Sequence, residues 1–119
     1  MLRVALAGLL IVHGVAHLPG FAVPWQLMHS AEMPYTTTLL AGRFDVGDGG
    51  IRAVGVIWAA LAVSFIALSL ATWLHAPAAR GLIVLAVMAS LAMCVLGWPD
   101  ARIGIAANLA VLVLLAIAR

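Results

Sequence analysis

The sequence predicts an all-α polytopic integral membrane protein: a four-transmembrane-helix bundle with one long extramembrane loop between the first and second helices. Three observations predict it. Hydrophobic residues fill 66% of the 119 positions and charged residues only 8%, whereas a soluble domain needs about a quarter of its residues charged. The apolar residues fall into four runs, each close to the ~20 residues that a bilayer crossing requires. The net charge of +2 comes from arginines set singly at the ends of those runs. That pattern anchors helices in a membrane and does not make the basic patch of a nucleic-acid binder.

The first helix is expected over residues 2–25. Arg3 and Gly14-Val15-Ala16 imitate a secretory leader, but His13 interrupts the apolar stretch such a leader needs. The run therefore reads as a retained helix, bent or ended by Pro19 and Pro24. Residues 26–50 form the polar loop, expected to cap the bundle at the membrane surface. Within it, residues 28–33 suit a short interfacial helix, and Tyr35-Thr36-Thr37-Thr38-Leu39-Leu40 is β-prone. Asp45-Val46-Gly47-Asp48-Gly49-Gly50 lacks the later acidic ligands of a calcium loop. It reads instead as a turn with Asp48 as N-cap.

The second helix is expected over residues 51–74, with His75 just beyond it. The third covers residues 81–97 and the fourth residues 102–118, making a single domain of residues 1–119. Short connections make consecutive helices antiparallel neighbours. The arginines divide evenly between the two sides, and acids contribute little to topology. The positive N-terminus favours both termini on the cytoplasmic side of a bacterial inner membrane.

In lipid, close packing of small residues does much of the work of helix association. Gly14 suits the approach of a neighbouring helix. Small residues also recur at four-residue spacing: Gly55 with Ala59, Ala60 with Ser64, Ala67 with Ala71, Ala86 with Ser90, and Gly104 with Asn108. Each pair shares one helical face.

Chemistry concentrates in His13-Gly14-Val15-Ala16-His17. The two histidines lie on one face, about 6 Å apart along the axis at ~1.5 Å per residue. Ionisable groups within a span are costly and usually face the protein interior or a cavity. Helical rise places His17, Cys94 and Asn108 in the half of the bilayer nearer the long loop. His29, Glu32, Arg43 and Asp45 of the loop could share that half, whereas His75 lies at the opposite face. Three readings of the pair stay open. It could be interhelical polar glue. It could be a proton relay or a pocket for a small ligand such as a quinone, with Asn108 contributing. It could ligate a metal or haem through His13 and His17. Cys94 reads as a small core residue, Met88 and Met93 as packing, and Trp25, Trp58, Trp73 and Trp98 as interfacial aromatics.

Arg3 followed by an apolar stretch into His13-Gly14-Val15-Ala16-His17-Leu18-Pro19-Gly20-Phe21 resembles the first helix of DoxX-like membrane proteins. Gly97-Trp98-Pro99-Asp100-Ala101 with Asn108 is similar to the last hairpin of small bacterial four-helix proteins. The resemblance implies the four-helix architecture and a tilt towards redox chemistry or quinone contact, through Arg3, His13, Gly14 and, imperfectly, His17. Those families often carry lysine where this chain has His17.

Two functions follow as expectations. The first is a non-catalytic accessory or structural subunit of a larger membrane complex, redox or energy-converting, with lipid and other membrane subunits or further copies of itself as partners. The alternative is a DoxX-like quinone-interacting protein using His13 and His17. Transport of small molecules by an oligomer is a third reading, though the chain has no broken helices or inverted repeats.

Overall fold

The computed structural model describes residues 1–118. Among them, all regular structure is helical apart from one small hairpin. The first helical column is α1 (Leu2–Ala16) continued by α2 (Leu18–Ala22), and the others are α3 (Gly47–Trp73), α4 (Ala79–Leu96) and α5 (Arg102–Ile117). Leu2–Ala22, Gly47–Trp73 and Ala79–Leu96 are each long and apolar enough to cross a bilayer. The fourth column has 16 residues, or about 24 Å at ~1.5 Å per residue, against a hydrocarbon thickness of ~30 Å.

The columns form a ring in which α1 packs on α3 and α5, and α4 packs on α3 and α5. Contacts at both ends make neighbours antiparallel. The Ser69 hydroxyl donates to the Ala7 carbonyl at 2.8 Å, while Gly20, at the other end of the first column, abuts Trp58. Arg80, in the first turn of α4, donates to the Leu115 and Ala118 carbonyls, each at 2.8 Å. It thus caps the C-terminal end of α5 with a cation, where the helix dipole favours one.

The outer faces of the columns are apolar, unlike those of a water-soluble fold. Val12, Val63, Leu85 and Ile103, one from each column, are 66–77% exposed, while Ser90 and Asn108 are fully buried. The apolar core runs through Leu10, Phe65, Ile83, Val87 and Val111. Among the small residues expected to pack, Gly14 and Gly55 are buried, and Ala59 and Gly104 are half-buried. Ser64 departs from expectation: it is exposed, and its hydroxyl turns back to the Ala60 carbonyl of its own helix. The face it shares with Ala60 points outward.

The first column is interrupted at His17, whose N–H bonds the Gly14 carbonyl at 3.1 Å, and Pro19 in the first turn of α2 can offer no N–H to the ladder. Beyond it, α2 packs on α3. Between α2 and α3 the chain differs from expectation in three places. Residues 28–33 form no helix; the Ser30 hydroxyl instead donates to Glu32 and accepts from the Met33 N–H. This local bonding competes with helix formation. The second column starts at Gly47, not at residue 51, with Val46 as N-cap. Asp48 therefore sits inside the first turn, where its carboxylate accepts from the Tyr35 hydroxyl.

The β-prone stretch contributes β1 (Thr38–Leu39), paired antiparallel with β2 (Phe44–Asp45). Asp45 accepts from the Thr37 hydroxyl at 2.8 Å and the Gly47 N–H at 3.0 Å. These two donors, the Gly47 amide first, hold the Asp45 carboxyl below its ordinary range. Folding thus depresses this pKa, so the contribution is fully present above the ordinary aspartate range and is lost as pH falls through the folded-state value. Hydrogen exchange at Val46, whose N–H donates to the Thr37 carbonyl, should accelerate relative to α3 amides over that acid range. In Asp45→Asn this acid-dependent acceleration should vanish; if it persists, Asp45 is not the group responsible.

Candidate functional site

Four buried side chains from three columns form one hydrogen-bonded chain. His13 Nε2 lies 3.0 Å from Asn108 Oδ1. Asn108 Nδ2 donates to Ser90 Oγ at 2.9 Å and to the Gly104 carbonyl at 2.8 Å. Ser90 Oγ lies 2.8 Å from His17 Nε2, and His17 Nδ1 lies 2.7 Å from the His13 carbonyl. Helical spacing brings the imidazoles together, with ring centroids 4.6 Å apart and planes nearly perpendicular. Gly104 lets α5 approach α4 beside the site: a Cβ there would lie 2.6 Å from Cys94 Sγ.

Two backbone carbonyls fix the direction of every bond, because a carbonyl can only accept. The Gly104 carbonyl orients the Asn108 amide, so Oδ1 faces His13 and accepts from Nε2–H. The His13 carbonyl requires a proton on His17 Nδ1. With His17 neutral, its Nε2 accepts from the Ser90 hydroxyl, whose oxygen accepts from Asn108. Neutral His13 is then left with a bare lone pair on Nδ1, which has no protein partner among these bonds. A proton moving along the chain would have to cross the Asn108 amide, whose N–H groups donate without being released. A metal held by both imidazoles would need a lone pair from each aimed at one point, but that of His17 is directed at Ser90. Among the described residues, no three His, Cys, Asp or Glu side chains are placed to hold a metal ion.

Beside this chain lies a cavity of about 370 Å³. His13, His17 and Cys94 border it at depth, Trp58 forms a wall, and Leu39, Ala41 and Gly42 of the hairpin close over it. The hairpin is tied across the mouth by Leu40 N–H donating to the Leu96 carbonyl at 2.8 Å and Ala41 N–H to the Trp98 carbonyl at 3.0 Å. The two left-handed non-glycine residues at this turn, Leu40 and Ala41, spend those amides on the end of α4 and the connection after it.

The structure brings together His13, His17 and Asn108, and places Cys94 at 3.8 Å from the Asn108 amide. It does not bring in His29, Glu32, Arg43 or Asp45, none of which borders the cavity, whereas Asp100 does. His75 lies at the far side, just past the Leu74 C-cap of α3, in a left-handed conformation. Two residues escaped their sequence reading. Ser90 is the bridge between His17 and Asn108, not simply a small packing residue. Trp58 is half-buried, with its ring 5.2 Å from that of His17. It lies about 16 Å into α3 but only about 10 Å beyond residue 51, the expected helix start, at ~1.5 Å per residue, so the sequence did not separate it from an interfacial aromatic. Comparison with protein families, curated proteins and solved structures found no match to this chain.

Proposed function

We propose that this chain is a four-span membrane protein that holds a small ring-bearing amphipathic ligand, of the quinone or quinol class, beneath its hairpin. The observation that carries this reading is the cavity itself. Its volume falls in the ~300–1,000 Å³ range of small-molecule sites, and its walls are apolar and aromatic over a floor of polar groups. Such a pocket matches a ligand with a greasy body and one polar end. The apolar outer faces of the columns support immersion in lipid, and snorkelling of Arg102 with local bilayer thinning accommodates the shorter α5. In this reading the hairpin lies at the non-cytoplasmic surface and both termini are cytoplasmic. The DoxX-like resemblance of residues 3–21 points to the same ligand class. The accessory-subunit reading has less to stand on, because the outer faces of all four columns are apolar alike and none is set apart for a protein partner.

Trp58 provides the test. With the chain in nanodiscs, a short-chain alkylbenzoquinone or its hydroquinone should quench tryptophan fluorescence saturably. Trp58→Phe should remove a large part of the saturable component, and Trp58→Phe combined with Trp98→Phe, the other tryptophan bordering the cavity, most of it. If both redox forms give only the linear quenching of ligand dissolved in lipid, unchanged in Trp58→Phe, the cavity is not a binding site of this class.

A further inference from the structure

The direction of the hydrogen-bond chain decides what the polar end of the ligand must be. Every sealed side-chain nitrogen or oxygen among the described residues has a partner. His13 Nδ1 has none, so it must open onto a space, and the cavity is the space that His13 borders. His13 as a whole is only 3% exposed, so the opening at this lone pair is narrow. Its other ring nitrogen is held by Asn108, which is itself pinned by the Gly104 carbonyl. The ring cannot flip to present an N–H without breaking that bond. The second imidazole offers nothing, since both its nitrogens are occupied by Ser90 and the His13 carbonyl.

We infer that the site selects ligands presenting a hydrogen-bond donor to His13 Nδ1: a phenol or quinol hydroxyl, and not the carbonyl or ether oxygen of an otherwise matching molecule. A carbonyl oxygen facing that nitrogen would set two lone pairs against each other, while a hydroxyl would complete the network. The inference rests on the proposal that the cavity binds ring-bearing amphipathic ligands, and it names which member of a matched pair binds.

The test compares 4-hexylphenol with 4-hexylanisole, which share ring and tail and differ in the O–H. Binding to protein-loaded nanodiscs is measured by isothermal titration calorimetry, with partition into empty nanodiscs subtracted. The phenol should bind about 5- to 10-fold more tightly, the ratio expected of one net hydrogen bond. In His13→Leu, checked for helicity by circular dichroism, the two should bind equally. Equal binding of the pair to the unaltered protein overturns this inference and leaves the ligand-binding reading standing. So does a preference that survives in folded His13→Leu. If neither compound binds while the alkylbenzoquinone does, the inference again falls. If none of the four compounds binds saturably, the proposed function itself fails.

Discussion

Replacing Asn108 with alanine should destabilise the folded protein by about 2–4 kcal/mol. Asn108 is fully buried and serves three partners on three columns. It accepts from His13 on α1, donates to Ser90 on α4 and donates to Gly104 within α5. An interhelical hydrogen bond in lipid contributes ~0.6–2 kcal/mol, because the unfolded chain in the membrane also finds partners. The truncation does more than remove bonds, however. It leaves the His13 Nε2–H buried with nothing to accept it, at a cost of ~1–3 kcal/mol. Ser64→Ala is the matched control: that hydroxyl bonds only within its own helix and faces outward, so its loss should change stability by under ~0.5 kcal/mol. Reversible unfolding in mixed micelles would measure both. Equal effects of the two substitutions would mean that the buried chain does not hold the columns together.

Gly14→Ala should cost about 1–3 kcal/mol by forcing α1 away from α3. A Cβ at Gly14 would lie 2.9 Å from the Ala62 carbonyl oxygen, 3.0 Å from Ile66 Cγ1 and 3.2 Å from Phe65 Cβ. The nearest of these is backbone and cannot swing aside. The displacement would also reach His13 next along the chain, so ligand binding should weaken along with stability. Gly8→Ala, on the same helix, meets nothing within 4 Å. It should be neutral or slightly stabilising, since alanine favours a helix over glycine by ~1 kcal/mol. If the two substitutions behave alike, close approach at Gly14 is not what seats α1 on α3.

The helices were the readily legible part of the molecule. Hydropathy alone places four columns within a few residues of where they lie, because a long run of apolar residues has few other stable conformations in lipid. The segment between α2 and α3 was harder to read because local hydrogen bonds decide it. A serine that bonds Glu32 and Met33 displaces the helix expected at residues 28–33, and an aspartate at residue 45 closes a hairpin turn. Each competes with helix formation by a small margin that sequence pattern does not resolve.

By itself, the sequence determined depth. A fixed rise per residue puts His13 and His17 one turn apart on one face, and puts Asn108 and Cys94 in the same half of the bundle. Rotation of each helix about its own axis was decided only by tertiary structure. Packing of Gly14 on Ala62 and of Gly104 against Cys94 turns those residues towards one another. That rotation makes Ser90, 73 residues from His17, the partner of its ring, and makes Asn108, 95 residues from His13, the acceptor of its proton. It also swings Trp58 inward to wall a cavity. Rise is a property of the backbone and can be counted along the chain, whereas azimuth is set by which side chains of distant segments fit together.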